Sequence, residues 1–80
     1  MTNYQIVQTV GVMSVGKSSE KRLTVTQWYG RPASLDVRVW RRQDNAELTP
    51  ARGLTLTDDE AHRLMELLRQ YFSDQKEGRH

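Results

Sequence analysis

The stretches KRLTVTQWY (residues 21–29) and SLDVRVWR (residues 34–41) decide the fold. In both, aliphatic residues alternate with polar or aromatic ones, which is the period-2 pattern of a half-buried β-strand. The segment between them, Gly30-Arg31-Pro32, is a turn signal. The sequence therefore predicts two neighbouring strands. One face carries the aliphatic residues Leu23, Val25, Leu35, Val37 and Val39, and the other carries Arg22, Thr24, Thr26, Trp28, Asp36, Arg38 and Trp40.

Further elements flank this pair. Residues 4–15 contain no charge and are rich in Val, Ile, Thr and Gln, which favours a first strand. Residues 42–52 contain Asp, Asn and Pro and predict a surface loop, followed by a short fourth strand at 53–56. Thr57 and Glu60 have the spacing of a helix capping box. We expect an α+β fold of four antiparallel strands followed by one C-terminal helix.

The predicted helix has a broad apolar stripe that should share one core with the aliphatic sheet face. Tyr71 and Phe72 extend the stripe beyond what one small sheet needs, so it predicts a symmetric contact between two subunits; a purely intramolecular stripe is the alternative. After Ser73 no apolar residue follows, so we expect one domain at residues 1–73 and a disordered polar tail at 74–80.

Size and composition limit what the chain does. Eighty residues form one small domain that commonly needs added support, and cysteine is absent. The two histidines, His62 and His80, do not make a zinc site, so oligomerisation is the expected support. The sequence has no membrane-spanning apolar run and no signal-peptide pattern, so we expect a soluble cytoplasmic protein.

Charge is unevenly distributed. Residues 17–52 hold eight Lys and Arg against four Asp and Glu, whereas residues 53–80 hold four against six. Such asymmetry steers a polyanion to one part of a molecule, although an ordinary solvated surface is the alternative.

The face with Trp28, Arg38 and Trp40 is expected to lie uncovered, and monomers rarely expose large aromatic patches. Aromatic rings beside guanidinium groups suit unstacked bases and their phosphates, so single-stranded nucleic acid is the expected ligand. The alternatives are that the tryptophans pack in a second core or against a partner subunit, or that the face docks another protein. No helix resembles a basic recognition helix, so reading of a duplex is not expected.

Catalysis and cofactors find no support in the sequence. His62 falls on the polar side of the helix, the serines at 14, 18 and 19 have no neighbouring His and acid, and residues 58–60 are explained by capping. There is no phosphate-binding glycine loop. Asp36 is expected to orient a neighbouring arginine.

Four stretches in this order resemble the positive cofactor four family of transcriptional coactivators, most closely its small bacterial members. They are IVQTVGVMS (6–14), LTVTQWYG (23–30), LDVRVW (35–40) and RGLTLTDDE (52–60), and the resemblance covers about residues 4 to 72. It implies a curved four-stranded sheet, a homodimer formed through the helices, binding of opposed single strands of DNA and no enzymatic activity. The sequence leaves RNA open as the alternative nucleic acid and predicts no cofactor.

The resemblance also implies which residues bind nucleic acid and which form the dimer. Trp28, Arg38, Trp40 and Arg52 match family positions that bind nucleic acid, and Lys17 lies in the first loop, near the nucleic acid in the family. With Arg22, Thr24 and Thr26 on the same face, these are the nucleic-acid-binding candidates; the dimer candidates are Leu64, Leu68, Tyr71 and Phe72. Thr26 stands where eukaryotic members have a basic residue, and their Ser- and acid-rich arm is missing, so a eukaryote-style coactivator role is in question.

Overall fold

The computed structural model describes residues 3–44 and 46–78 as four strands followed by one helix. The elements are β1 (Tyr4–Val15), β2 (Ser19–Trp28), β3 (Ser34–Arg41), β4 (Thr49–Leu56) and α1 (Asp58–Gly78). The strands form one antiparallel sheet in the order β1-β2-β3-β4. This confirms the predicted α+β fold.

The fourth strand is longer than predicted. It begins at Thr49 and so includes Pro50 and Arg52, which the sequence placed in a surface loop. β4 is an edge strand, and its register with β3 shifts between Arg38 and Trp40, beside Pro50. Proline is tolerated at edges and bulges because no ladder hydrogen bond from its nitrogen is needed there. The loop prediction for residues 49–52 is therefore wrong.

The first strand is irregular. Its register with β2 shifts three times, and Val7, Val10 and Met13 are the residues left without a partner. Each bulge adds a residue to one strand only, which bends that strand and increases its twist.

The sheet curls strongly toward the face that carries the tryptophans. Trp28 ends β2, whereas Trp40 pairs with Glu20 near the start of β2. A straight strand of that length would separate these positions by roughly 25 Å. The ring of Tyr4 nevertheless lies 5.4 Å from the Trp28 ring and 5.6 Å from the Trp40 ring, measured between centroids. We call this inner side, with Tyr4, Thr24, Thr26, Trp28, Asp36, Arg38 and Trp40, the tryptophan face.

Burial is the reverse of what the alternation predicted. The tryptophan face contains the fully buried side chains Thr24, Thr26, Asp36 and Trp40, because the curl closes the sheet over them. The aliphatic residues Leu23, Val25, Leu35, Val37 and Val39 are only half-buried. The expectation that Trp40 and the two threonines lie open to solvent is therefore wrong.

The helix begins as predicted. The Glu60 amide donates to Thr57 Oγ1 over 3.0 Å, and the Thr57 amide donates to Glu60 Oε1 over 2.8 Å. These reciprocal bonds are a capping box. The helix continues to Gly78, past the predicted end at Ser73. The predicted disorder of residues 74–80 stays a prediction, and Arg79 and His80 lie outside the described residues.

The helix covers little of the sheet. Within the described residues it contacts only β3 and β4, so the predicted shared core is largely missing from this single chain. Leu64 is 39% exposed and Phe72 64%. An open apolar groove of about 340 Å³ separates the helix from the sheet. The described helix is not long and apolar enough to cross a membrane.

Candidate functional site

A buried carboxylate organises the tryptophan face. Asp36 Oδ1 accepts a hydrogen bond from Arg38 Nε (3.0 Å), and Oδ2 accepts from Arg38 Nη2 (2.9 Å). Oδ2 also accepts from Trp28 Nε1 (3.2 Å) and Thr55 Oγ1 (3.0 Å). Four donors thus satisfy a charge that burial would otherwise penalise heavily. The prediction that Asp36 orients an arginine is confirmed.

Arg38 is held from two directions. Its Nη1 donates to the carbonyl of Ala51 over 2.9 Å, and its Cζ lies 4.7 Å from the centroid of the Trp28 ring. The side chain is 17% exposed. Two of its five N–H groups remain uncommitted, so the guanidinium fixes Trp28 and keeps limited capacity for a ligand.

A glycine lets the edge strand approach this arginine. Gly53 is the register partner of Arg38, and a Cβ placed on Gly53 would lie 2.6 Å from the Arg38 Cα. Any larger residue would push β4 away. Close packing of β4 brings Thr55 and the Ala51 carbonyl within reach of the Asp36–Arg38 pair.

The other part of the tryptophan face is closed. Trp40 is 1% exposed, and Arg22 Cζ lies 5.8 Å from the centroid of its ring. Arg22 in turn pairs with Glu20 over 2.8 Å. Thr24 and Thr26 share a hydrogen bond of 2.7 Å between their hydroxyls. The buried side chains of Trp40, Thr24 and Thr26 support the sheet and offer no surface to a base.

An open groove lies where Trp28 meets the β2–β3 turn. Its lining residues are Trp28, Tyr29, Arg31, Ser34, Arg38 and Thr55, and its volume is about 410 Å³. Two aromatic rings and two guanidinium groups share this surface, which we call the basic groove. Aromatic faces accept stacked bases and guanidinium groups pair with phosphates.

Sequence reasoning missed two residues of the basic groove. Tyr29 is 71% exposed, and its ring lies 6.4 Å from the Trp28 ring. Arg31 is exposed beside it. The observed strand β2 ends at Trp28, one residue before the end of the predicted stretch, so Tyr29 and Arg31 both lie in the turn and the strand alternation does not give their orientation. The signal that could have found them is an aromatic residue directly before a Gly-Arg turn.

The remaining basic candidates lie outside the basic groove. Lys17 is exposed on the β1–β2 connection and Arg52 is exposed on β4. Neither belongs to the groove lining, and the structure leaves both free to meet a ligand from solvent. Among the described residues, no cluster of three or more His, Cys, Asp or Glu side chains has the arrangement of a metal site.

The fold and this surface define a small open-sheet protein with a partly exposed aromatic and basic groove. Comparison with protein families identifies the group to which it belongs. Residues 15–67, about two thirds of the chain, match the family described as Transcriptional Coactivator p15 (PC4). The chain is a member of this family, which confirms the resemblance seen in its sequence. The family is one of nucleic-acid-binding coactivators and not of enzymes.

The match includes β2, β3, β4 and the first half of α1. It therefore spans every residue of the basic groove. A search of curated protein sequences gave no match to the chain.

Proposed function

We propose that this protein binds single-stranded DNA without catalysis and with little sequence preference, through the basic groove. The observation that carries the proposal is the ring of Trp28, which Arg38 and Asp36 fix in place beside Tyr29 and Arg31. A rigid aromatic ring that remains partly exposed next to cations suits a stacked base and its phosphate. Membership of a coactivator family supports the same ligand class.

Single strands suit this site better than duplexes. A base must leave its stack to lie on Trp28 or Tyr29, and bases of a duplex are already stacked on each other. Every base has a flat π-face, so stacking gives affinity with little discrimination. Arg52 and Lys17 add positive charge outside the basic groove and would attract the backbone over a longer distance, whereas the charge of Arg22 is balanced by Glu20.

The protein also acts as a homodimer in this proposal. Of the described large hydrophobic side chains, only Trp40 is fully buried, so one chain alone has very little apolar core. Leu64, Leu68, Tyr71 and Phe72 are 39–64% exposed along one helix. A second copy that packs on this stripe and on the adjoining apolar groove would supply the missing core.

The proposed binding of melted strands suits a role in transcription regulation, replication or repair, and family membership supports the first of these. RNA is the competing ligand, because stacking and phosphate contacts do not distinguish the two sugars. A cytoplasmic location and a bacterial type stay predictions.

Titration with labelled oligo-dT at two salt concentrations tests the proposal. Binding that weakens steeply as salt rises is expected, because phosphate contacts release counterions. The alternative function is docking of another protein by the aromatic surface. An absence of oligo-dT binding at low salt would reject the proposal and favour that alternative.

A further inference from the structure

A second groove adjoins the basic groove on the other side of Tyr29. It has a volume of about 350 Å³ and is lined by Asn3, Tyr4, Gln5, Gln27, Tyr29 and Gly30. We call it the amide groove because three of its side chains are primary amides. Tyr29 lines both grooves. Gln5 and Gln27 are register partners on the sheet face opposite Trp28, so a bound strand would reach the amide groove by passing around the end of β2 at Tyr29.

The backbone holds Tyr29 in an unusual conformation. Its φ is 51°, and that of Gly30 is 77°. The Tyr29 amide donates to the Asn3 carbonyl over 2.7 Å, and the Arg31 amide donates to the Trp28 carbonyl over 2.8 Å, which fixes the turn. Bulky residues rarely adopt positive φ, and such strain concentrates at binding sites. Here the strained turn presents a ring that gains little burial within the chain, which points to an external partner for the ring.

The chemistry of the amide groove indicates which part of a nucleotide it takes. None of its lining residues is charged, so it offers no counterion to a phosphate. Gln5 and Gln27 are register partners across β1 and β2, and together with Asn3 they make no side-chain hydrogen bond within the described chain. Each amide presents an acceptor beside a donor, the arrangement that pairs with the edge of a base.

We infer that the amide groove is a second nucleobase pocket that takes an unpaired base, stacked on Tyr29 and bound at its edge by Gln27 or Gln5. Each of the four bases presents a donor beside an acceptor on the edge that is free in a single strand, so one primary amide can bind it with two hydrogen bonds. This inference rests on the proposed binding of single strands and adds a second base-binding site to it.

The test compares oligo-dT with an abasic deoxyribose-phosphate strand of equal length on the wild type and on Gln27→Leu, by anisotropy of a labelled strand. Each strand is compared with itself across proteins. We expect Gln27→Leu to weaken oligo-dT binding by about fivefold or more, the lower end for one bidentate amide–base pair. Binding of the abasic strand should fall by less than about twofold, since that strand has phosphates but no base edge.

Gln8→Leu is the matched control, because Gln8 is an exposed amide on β1 outside the groove. It should leave both affinities unchanged. The double variant Gln5→Leu, Gln27→Leu tests the case in which either amide alone is sufficient to bind the base. Equal losses for oligo-dT and the abasic strand, or no loss in the double variant, would overturn the nucleobase pocket.

Tyr29→Asn tests the ring separately. Asparagine accepts a positive φ more readily than tyrosine, so thermal stability should not fall while the stacking surface is removed. Weaker oligo-dT binding with an unchanged melting temperature supports the pocket, and unchanged binding contradicts it. A wild type that binds neither strand would reject single-strand binding itself, whereas normal oligo-dT binding without any amide effect rejects only the pocket.

Discussion

The guanidinium carbon of Arg38 lies 4.7 Å from the centroid of the Trp28 ring, and the carboxylate of Asp36 binds both residues. The arginine therefore lies against the ring as part of the scaffold that orients it. This arrangement changes what removal of Arg38 should do, because the buried Asp36 would be left without its charged partner.

Arg38→Ala should reduce the free energy of unfolding by about 3–5 kcal/mol, the usual cost of breaking a buried ion pair from one side. Urea denaturation followed by circular dichroism measures this change. Arg52→Ala is the matched control: Arg52 is exposed on β4, so its removal should change stability by less than about 0.5 kcal/mol. Equal stability of the two variants would mean that the Asp36 network contributes little to folding.

Exposed cations should act on binding and leave folding unchanged. Arg31→Ala, Lys17→Ala and Arg52→Ala should each reduce the slope of log affinity against log salt, by up to about 0.7 for each phosphate that the variant no longer binds. Titration of oligo-dT across a salt series measures the slope. We expect the largest effect for Arg31, which alone of the three lines the basic groove. Three unchanged slopes would contradict phosphate binding by these residues.

Leu68→Asp should abolish dimerisation. Leu68 is 48% exposed on the helix stripe of the single chain, so a charge there would be buried only in a dimer. Sedimentation equilibrium at micromolar concentration gives the mass. The control is Gln70→Asp, which adds the same charge on another side of the helix and should remain dimeric. A wild-type protein that sediments only at 9.3 kDa would contradict the dimer.

The sequence predicted the elements that depend on neighbouring residues. The capping box of Thr57 and Glu60 and the bounds of β1 and β3 follow from local patterns. The side of the sheet that is buried did not follow, because it depends on the curl and on bulges at Val7, Val10 and Met13, which an alternation pattern does not register. Tyr29 was missed because its exposure depends on the backbone of a turn. The small number of contacts between α1 and the sheet could not be predicted either, because an apolar helix stripe can pack against a sheet or against a second subunit.

The central claim is that bases stack on Trp28 and not on Trp40. Trp40 is 1% exposed, so a bound strand cannot reach its ring unless the sheet opens. Because the chain has only these two tryptophans, fluorescence separates them. Trp28→Phe and Trp40→Phe each leave one indole and keep an aromatic ring at the changed position, and circular dichroism verifies that both variants fold.

The most direct measurement is the change in tryptophan fluorescence as oligo-dT is added to the wild type and to these two variants. Stacked bases quench an indole, so we expect quenching in the wild type and in Trp40→Phe. In Trp28→Phe the remaining fluorescence of Trp40 should not change when oligo-dT is added. Anisotropy of a labelled strand should show that this variant still binds, with a loss of binding free energy of at most about 3 kcal/mol. Quenching that persists in Trp28→Phe and disappears in Trp40→Phe would contradict the account.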